Sequence, residues 1–218
     1  MIAYKLRSEC NRFQVFDNVI AHELGHYFVG KKYNFNPYQI SIESSGRNTY
    51  IDDIGGACSL NIFEDLLGVD NQIKFIGRRI DCLCAGVASQ FWWFYASKIE
   101  PDEVAKVFEH LWAEYGLDDL GKIKELARIY FAIGGEEFKD LCEYNNRLSG
   151  FITQSINNAI SVLNDSRDAF GTVHENLLKS VSETNAGFIR AASVIDEIAE
   201  SVNGAIEKSH RELPLEGG

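Results

Sequence analysis

VIAHELGHYFVG, residues 19–30, carries the pattern His-Glu-x-x-His within a mostly apolar run. Written as a helix, this run places His22 and His26 on one face, because residues i and i+4 are neighbours there. Two neutral imidazoles suit zinc, which binds histidine nitrogen at about 2.0–2.1 Å. Glu23 lies about 100° round the helix from His22, where it reaches a water on the metal but does not replace a histidine. The pattern therefore predicts a zinc site with two ligands and a base, and leaves the third ligand to be found.

The residues around the motif also predict where its helix begins and ends. Asp17 is expected to cap the N-terminus and Gly30 to stop the helix. Ile20, Leu24 and Phe28 recur as an apolar stripe beside the histidines. We expect this stripe to pack in the core.

Composition limits the possible classes of protein. A chain of 218 residues with 45% apolar and 12% aromatic residues can bury a full core, as one large domain or one domain with an appendage. The formal charge of −11 and the lack of a basic run argue against nucleic acid as a partner. The longest apolar patch, residues 82–96, is too short for a membrane segment. Five cysteines without a Cys-x-x-Cys pair are typical of reduced thiols in the cytoplasm.

After the motif, the pattern changes from strands to helices. Residues 38–43 and 57–62 read as short strands, joined by a loop that holds Asp52 and Asp53. The second strand either pairs with an extended substrate or is an ordinary sheet strand. Helices are predicted from residue 71, from 100 to 115, from Asp118 or Asp119 as cap to 133, and over 136–147. The aromatic run at 91–95 is expected to be core, with an apolar substrate pocket or a partner surface as the alternative.

The last third of the chain predicts a long helical extension. Apolar residues step by four and three alternately from Leu177 to Ala205, a 3.5-residue repeat. This repeat predicts a coiled-coil seam that forms a homo-oligomer, or else a helix folded back on its own domain. We therefore divide the chain into a domain at 1–150, a helical extension at 151–212 and a flexible tail at 213–218.

The third ligand must be a His, Asp or Glu on an element that packs near the motif helix. Three histidines, His110, His174 and His210, lie in helical stretches without a local signature. Asp118 and Asp119 follow a glycine break at the start of a helix, where a carboxylate is favoured either as ligand or as cap. The residues alone leave this choice open.

The chain resembles the peptidase domain of the FtsH family of zinc proteases. That family carries His-Glu-x-Gly-His, matched by residues 22–26, and an Arg-Ile with a following Ala/Gly-Gly turn, resembled by 79–80 and 85–86. Its metal-ligating Asp lies in a Gly-x-x-x-Asp-Leu…Glu-Leu-Ala-Arg pattern, which Asp119-Leu120 and residues 125–128 resemble. The resemblance covers about residues 15–135 and implies that Asp119 is the third zinc ligand.

Several departures from the family bear on what the resemblance implies. Its charged residues after the glycine pair are replaced by Val87, Ser89 and Gln90, and the spacing from His26 to Asp119 is longer than usual. Asp102 has a spacing closer to the family's, and a shift of one residue would select Asp118. No ATPase domain is present, so we expect ATP-independent cleavage of peptides or loosely folded segments.

Together these features predict an α+β, mainly helical, zincin-type metallopeptidase domain with a small sheet and a helical C-terminal extension. In the predicted mechanism, His22, His26 and Asp119 hold zinc, and Glu23 activates a zinc-bound water to hydrolyse the bonds of a peptide or unfolded protein. One alternative is a non-catalytic binding or assembly module with a degenerate metal site. The other is a regulatory peptidase that cuts one cognate protein, since residues 21–26 also resemble the ImmA/IrrE metallopeptidases.

Overall fold

The computed structural model describes residues 10–44, 54–62, 67–184 and 188–211. These residues form a mainly helical α+β fold with one small antiparallel sheet, as the sequence predicted. The predicted loop with Asp52 and Asp53 and the predicted tail at 213–218 lie outside the described residues. The α-helices are α1 (Arg12–Lys32), α2 (Val69–Gln90), α3 (Val104–Glu114), α4 (Leu117–Ile133), α5 (Leu141–Asp165), α6 (Arg167–Thr184) and α7 (Ala192–Arg211).

The sheet contains three strands among the described residues, in the order β2-β1-β3. Both neighbours of β1 run antiparallel to it, with Ile40 opposite Cys58 on one side and Arg190 on the other. The predicted strands at 38–43 and 57–62 are therefore confirmed as β1 and β2, although β2 begins and ends earlier than expected. The strands are β1 (Pro37–Ser44), β2 (Ile54–Leu60) and β3 (Phe188–Ala191).

Helix α1 is the centre of the fold. Every residue from Val19 to Gly30 is buried. One side of α1 packs with β1, α6 and α7, and its other side packs with α2. At Gly25 the two helices come so close that a Cβ atom would lie 2.2 Å from the carbonyl oxygen of Ala85. Only glycine allows this approach, which brings α2 directly against the motif.

The predicted limits of the motif helix are wrong. Asn11 is the N-cap: its side chain accepts a hydrogen bond from the Gln14 backbone N–H, and the Gln14 side chain accepts from the Asn11 N–H. This reciprocal capping box starts the helix well before Asp17. The helix also continues past Gly30, because Gly30 is buried against Leu60 of β2 rather than placed at a turn.

The predicted caps of α4 are also wrong. Gly116 occupies the N-cap position, and Asp118 and Asp119 both lie in the first turn. Carboxylates in a first turn interact favourably with the helix dipole, so their presence at the helix start needs no capping hydrogen bond. This placement leaves the Asp119 side chain available to reach α1.

The C-terminal third differs from the predicted continuous seam. Strand β3 interrupts the heptad pattern and places Phe188 in the sheet. Leu177, Val181 and Ile195 are buried in the same core cluster as α1, which corresponds to the alternative that folds back on its own domain. The predicted boundary at residue 150 falls inside α5, a helix that packs on α2. The described parts of the two predicted segments therefore share one core.

A short π-helical turn, Phe91–Tyr95, extends α2 through the aromatic run. Phe91 and Trp92 are buried, and the Trp92 ring packs edge-on against Phe170 with ring centroids 5.2 Å apart. The run is thus largely core, as expected. In the described residues, no helix is both long enough and apolar enough to cross a membrane.

Candidate metal centre

The structure brings His22, His26 and Asp119 together, although Asp119 is 97 residues from His22 in the sequence. The Oδ2 atom of Asp119 lies 3.1 Å from Nε2 of each histidine. All three candidate ligand atoms lie within 4.8 Å of one another. Ligand atoms around tetrahedral zinc are about 3.3 Å apart when the bonds are about 2.0–2.1 Å long. The two His–Asp separations fit that spacing.

Hydrogen bonds fix which nitrogen of each imidazole faces Asp119. Nδ1 of His26 lies 2.7 Å from the backbone carbonyl oxygen of Cys82, which can only accept, so Nδ1–H donates. Nδ1 of His22 lies 3.1 Å from Oε1 of Gln90, and the Gln90 amide nitrogen donates to the Asn18 carbonyl. Both neutral imidazoles therefore present the Nε2 lone pair to Asp119. Metal-binding histidines almost always have such a partner on their other nitrogen.

The three converging atoms form a set of acceptors that requires a cation. A carboxylate oxygen and two Nε2 lone pairs repel one another unless a proton or a metal ion lies between them. Burial strengthens the need for a cation, because little water reaches the cluster to screen this repulsion. The side chains of His22 and Asp119 are only 7% and 13% exposed. Two histidines with one carboxylate are a known catalytic zinc set. The donor set therefore fits a zinc ion.

The pKa values of Asp119 and His26 are shifted because the two side chains lie close together. When protons rather than a metal ion neutralise the cluster, burial acts to raise the pKa of Asp119, but the charge of His26 and hydrogen bonds from the protonated Nε2 atoms of both histidines outweigh it and hold this pKa well below its usual range. Burial acts to lower the pKa of His26, but the charge and hydrogen bond of Asp119 outweigh it and raise this pKa well above normal. The site thus retains a negative carboxylate beside a strongly basic imidazole.

Glu23 is a buried carboxyl next to this cluster. Burial raises its pKa above the usual range, and the charges of His22 and His26 only partly offset that effect. The backbone N–H of Cys58 in β2 donates to its carboxylate. At Gly56, a Cβ atom would lie 2.7 Å from both Cγ and Oε1 of Glu23. The Glu23 side chain is therefore held between α1 and a strand whose glycine leaves it room.

A cleft of about 200 Å³ opens onto these groups. β2 forms one wall and α2 another, and Tyr115 at the end of α3 and Asp118 in the first turn of α4 also line the cleft. Lys122 lies beside the cluster, with Nζ 3.6 Å from Oδ1 of Asp119. Because the described part of β2 pairs only with β1, its other edge faces the side of Glu23. The cleft can therefore hold an extended chain along β2.

The other candidate ligands lie elsewhere. Asp118 lines the cleft but is exposed and outside the cluster, and Asp102 is exposed in a short 3-10 turn, Pro101–Glu103. His110 lines a different cavity, and His174 is buried with Nε2 3.1 Å from a carboxylate oxygen of Asp17. For His210 only the backbone is described.

Sequence reasoning missed the residues that support the ligands. Gln90 counted as a departure from the FtsH pattern, yet its amide orients His22. Gly86 lies beneath the same imidazole, and Ser89 has its hydroxyl 2.6 Å from the Ala21 carbonyl oxygen. The sequence held one signal that could have identified them, because Ser89 and Gln90 follow Gly86 by three and four residues and so share its face of α2. Only the packing of α2 on α1 shows what that face contacts.

No protein-family model matches the chain, and no curated protein matches it.

Proposed function

We propose that this protein is a zinc metallopeptidase in which His22, His26 and Asp119 hold the metal and Glu23 is the general base. The observation that carries the proposal is the convergence of three buried ligand atoms beside a buried carboxylate in an open cleft. The resemblance of residues 22–26 and of the Asp119 region to FtsH peptidase domains supports the same assignment. Bound zinc would supply Lewis-acid chemistry, which makes water nucleophilic near pH 7.

Residues of the protein carry out proton transfer, hold the histidines in place and bind the substrate. Glu23 accepts the proton of the attacking water and passes it to the leaving nitrogen, and its raised pKa brings it closer to the working pH of a general base. Gln90 and the Cys82 carbonyl hold the histidines in the required tautomer. The free edge of β2 binds the substrate backbone in extended form, which tolerates varied sequences. Peptides and loosely folded segments fit such a site.

The cysteines support activity in a reducing compartment. All five are free thiols, and Cys10, Cys82 and Cys84 are buried away from oxidants. Such a compartment is typical of the cytoplasm, which remains a prediction from the composition.

The test is Glu23→Gln, measured by zinc content and by cleavage of casein and a quenched peptide library. Glutamine cannot accept the proton, so the variant should retain stoichiometric zinc and lose at least about 100-fold in hydrolysis. Glu125→Gln makes the same change at an exposed site on α4 and should cleave at the wild-type rate. Wild-type cleavage by Glu23→Gln would exclude Glu23 as the base. Zinc-loaded wild type that cleaves neither substrate would favour the non-catalytic alternative.

A further inference from the structure

Arg79 lies in the candidate cleft, at the end away from His22. α2 runs antiparallel to α1 here: Gly86 contacts His22, and Cys82 contacts His26 through its carbonyl oxygen. Arg79 precedes Cys82 by about one helical turn on the same face and lines the cleft. Its guanidinium is therefore placed beyond His26, along the direction in which α1 runs.

The neighbouring strand leads to the same end of the cleft. Gly56 of β2 approaches Glu23, whereas Leu60 lies against Gly30, two helical turns further along α1. Leu60 and Arg79 both line the cleft. A peptide that follows the free edge of β2 from the metal-binding atoms towards Leu60 therefore passes Arg79.

Arg79 has no counterion among the described residues. It makes no ion pair or hydrogen bond there, although it is half-buried. By contrast, the other Lys or Arg that lines the cleft, Lys122, is paired: its Nζ lies 3.6 Å from Oδ1 of Asp119. In a protein of formal charge −11, an unpaired guanidinium in a cleft is unusual. A partly desolvated guanidinium gains most from a carboxylate, which it can bind through two parallel hydrogen bonds.

We propose that Arg79 makes this protein selective for peptides that carry a carboxylate close to the scissile bond. Arg79 and Gly86 are separated by about 10 Å along α2, which corresponds to about three residues of extended peptide. The carboxylate therefore lies within about three residues of the bond that is cut. It belongs either to a Glu or Asp side chain or to the C-terminus of the peptide. This inference rests on the proposed peptidase function and names its substrate class.

The experiment compares matched peptides with zinc-loaded protein. Glu is exchanged for Gln at each of three positions on either side of the scissile bond, and each peptide is made with a free or an amidated C-terminus. We expect kcat/KM to be at least tenfold higher for one Glu peptide than for its Gln partner, or for the free acid than for the amide. The first result assigns the side chain as the source of the carboxylate, and the second assigns the C-terminus.

Variants of Arg79 test whether this residue recognises the substrate carboxylate. Arg79→Gln should remove the preference, Arg79→Lys should keep part of it, and Arg79→Glu should favour the corresponding Lys peptide. A misfolded protein cannot produce that reversal. Arg128→Gln removes the same charge from an exposed position on α4 and should leave the preference unchanged.

Binding separates a failure of this inference from a failure of the proposed function. Calorimetry with Glu23→Gln measures the affinity for the same peptides without hydrolysis. If peptides are cleaved but acidic and neutral partners have equal kcat/KM, the role of Arg79 is excluded and the peptidase function stands. If no peptide is cleaved, the peptidase function fails. A tenfold affinity preference that Arg79→Gln removes would then still support Arg79, and equal affinities would exclude it.

Discussion

Gly86 lies so close beneath His22 that a Cβ atom at this position would be 2.4 Å from Nε2 of the imidazole ring. A glycine on α2, the next helix along the chain, is thus part of the candidate metal centre, although it offers no ligand atom. The same close packing holds Gly25 against the backbone of α2. The geometry of the candidate metal centre therefore depends on how closely α1 and α2 approach each other.

Replacing Gly86 by alanine should displace the His22 ring and weaken zinc binding by at least about tenfold. Gly77→Ala is the matched control on α2, because its Cβ would meet only Tyr130 at an ordinary 3.6 Å. Gly77→Ala should leave zinc affinity unchanged and stabilise the helix by up to about 1 kcal/mol. Competition with a chromophoric chelator measures the affinities. Equal zinc affinity in the two variants would show that the ring position is not critical.

Asp119→Asn should lose zinc, whereas Asp118→Asn and Asp102→Asn should keep it. Only Asp119 lies 3.1 Å from both histidine Nε2 atoms, and asparagine there removes the charge that the metal requires. We expect a loss of at least about tenfold in zinc affinity for Asp119→Asn and wild-type affinity for the other two. Metal analysis after dialysis gives the ranking. Stoichiometric zinc in His22→Ala/His26→Ala would reject the whole site.

Cys58 should react slowly with alkylating reagents although it lines the cleft. Burial, followed by the charge of Glu23, raises the pKa of its thiol far above normal, and Arg79 offsets this only in part. A higher pKa leaves less thiolate at pH 8, and the thiolate is the nucleophile. Cys142 is exposed and should be alkylated at least about tenfold faster. Peptide mass spectrometry over time tests this order, and Cys142→Ser should remove the fast phase.

Tyr27→Phe should lower the free energy of unfolding by about 1–2 kcal/mol. The Tyr27 hydroxyl donates to Oδ1 of Asp196 at 2.5 Å, which ties the motif helix to α7. Tyr38→Phe is the control, because Tyr38 is 54% exposed on β1, and it should change stability by less than about 0.5 kcal/mol. Urea denaturation measures both. If Tyr27→Phe leaves the free energy of unfolding unchanged, this hydrogen bond does not hold α7 on α1.

A charge at Ile195 should unfold the protein rather than dissociate an oligomer. Ile195 is fully buried in the core with α1, so Ile195→Lys should cost at least about 3 kcal/mol. Val194 is 40% exposed, and Val194→Lys should be nearly neutral. Denaturation and light scattering are measured together on both variants. If Ile195→Lys stays folded and its mass in solution falls, residues 177–205 form an intermolecular coiled coil instead.

The sequence by itself determined the local features of the candidate centre. The spacing of His22, Glu23 and His26 follows from helix geometry, which depends only on residues a few positions apart. The alternation of β1 and the glycine break before α4 are equally local signals, and both elements are present in the structure. The mainly helical α+β class followed from these periods.

The tertiary structure decided which distant groups meet. Asp118 and Asp119 are equivalent by sequence pattern, and only the packing of α4 directs Asp119 rather than Asp118 to both histidines. The heptad pattern could not distinguish a partner chain from α1, because burial requires an apolar surface and does not specify whose surface it is. The packing of α2 on α1 likewise places Gln90 against His22 and Arg79 in the cleft. Contacts between residues far apart in the sequence depend on how whole helices pack. The local hydrophobic periodicity of the sequence does not specify that packing.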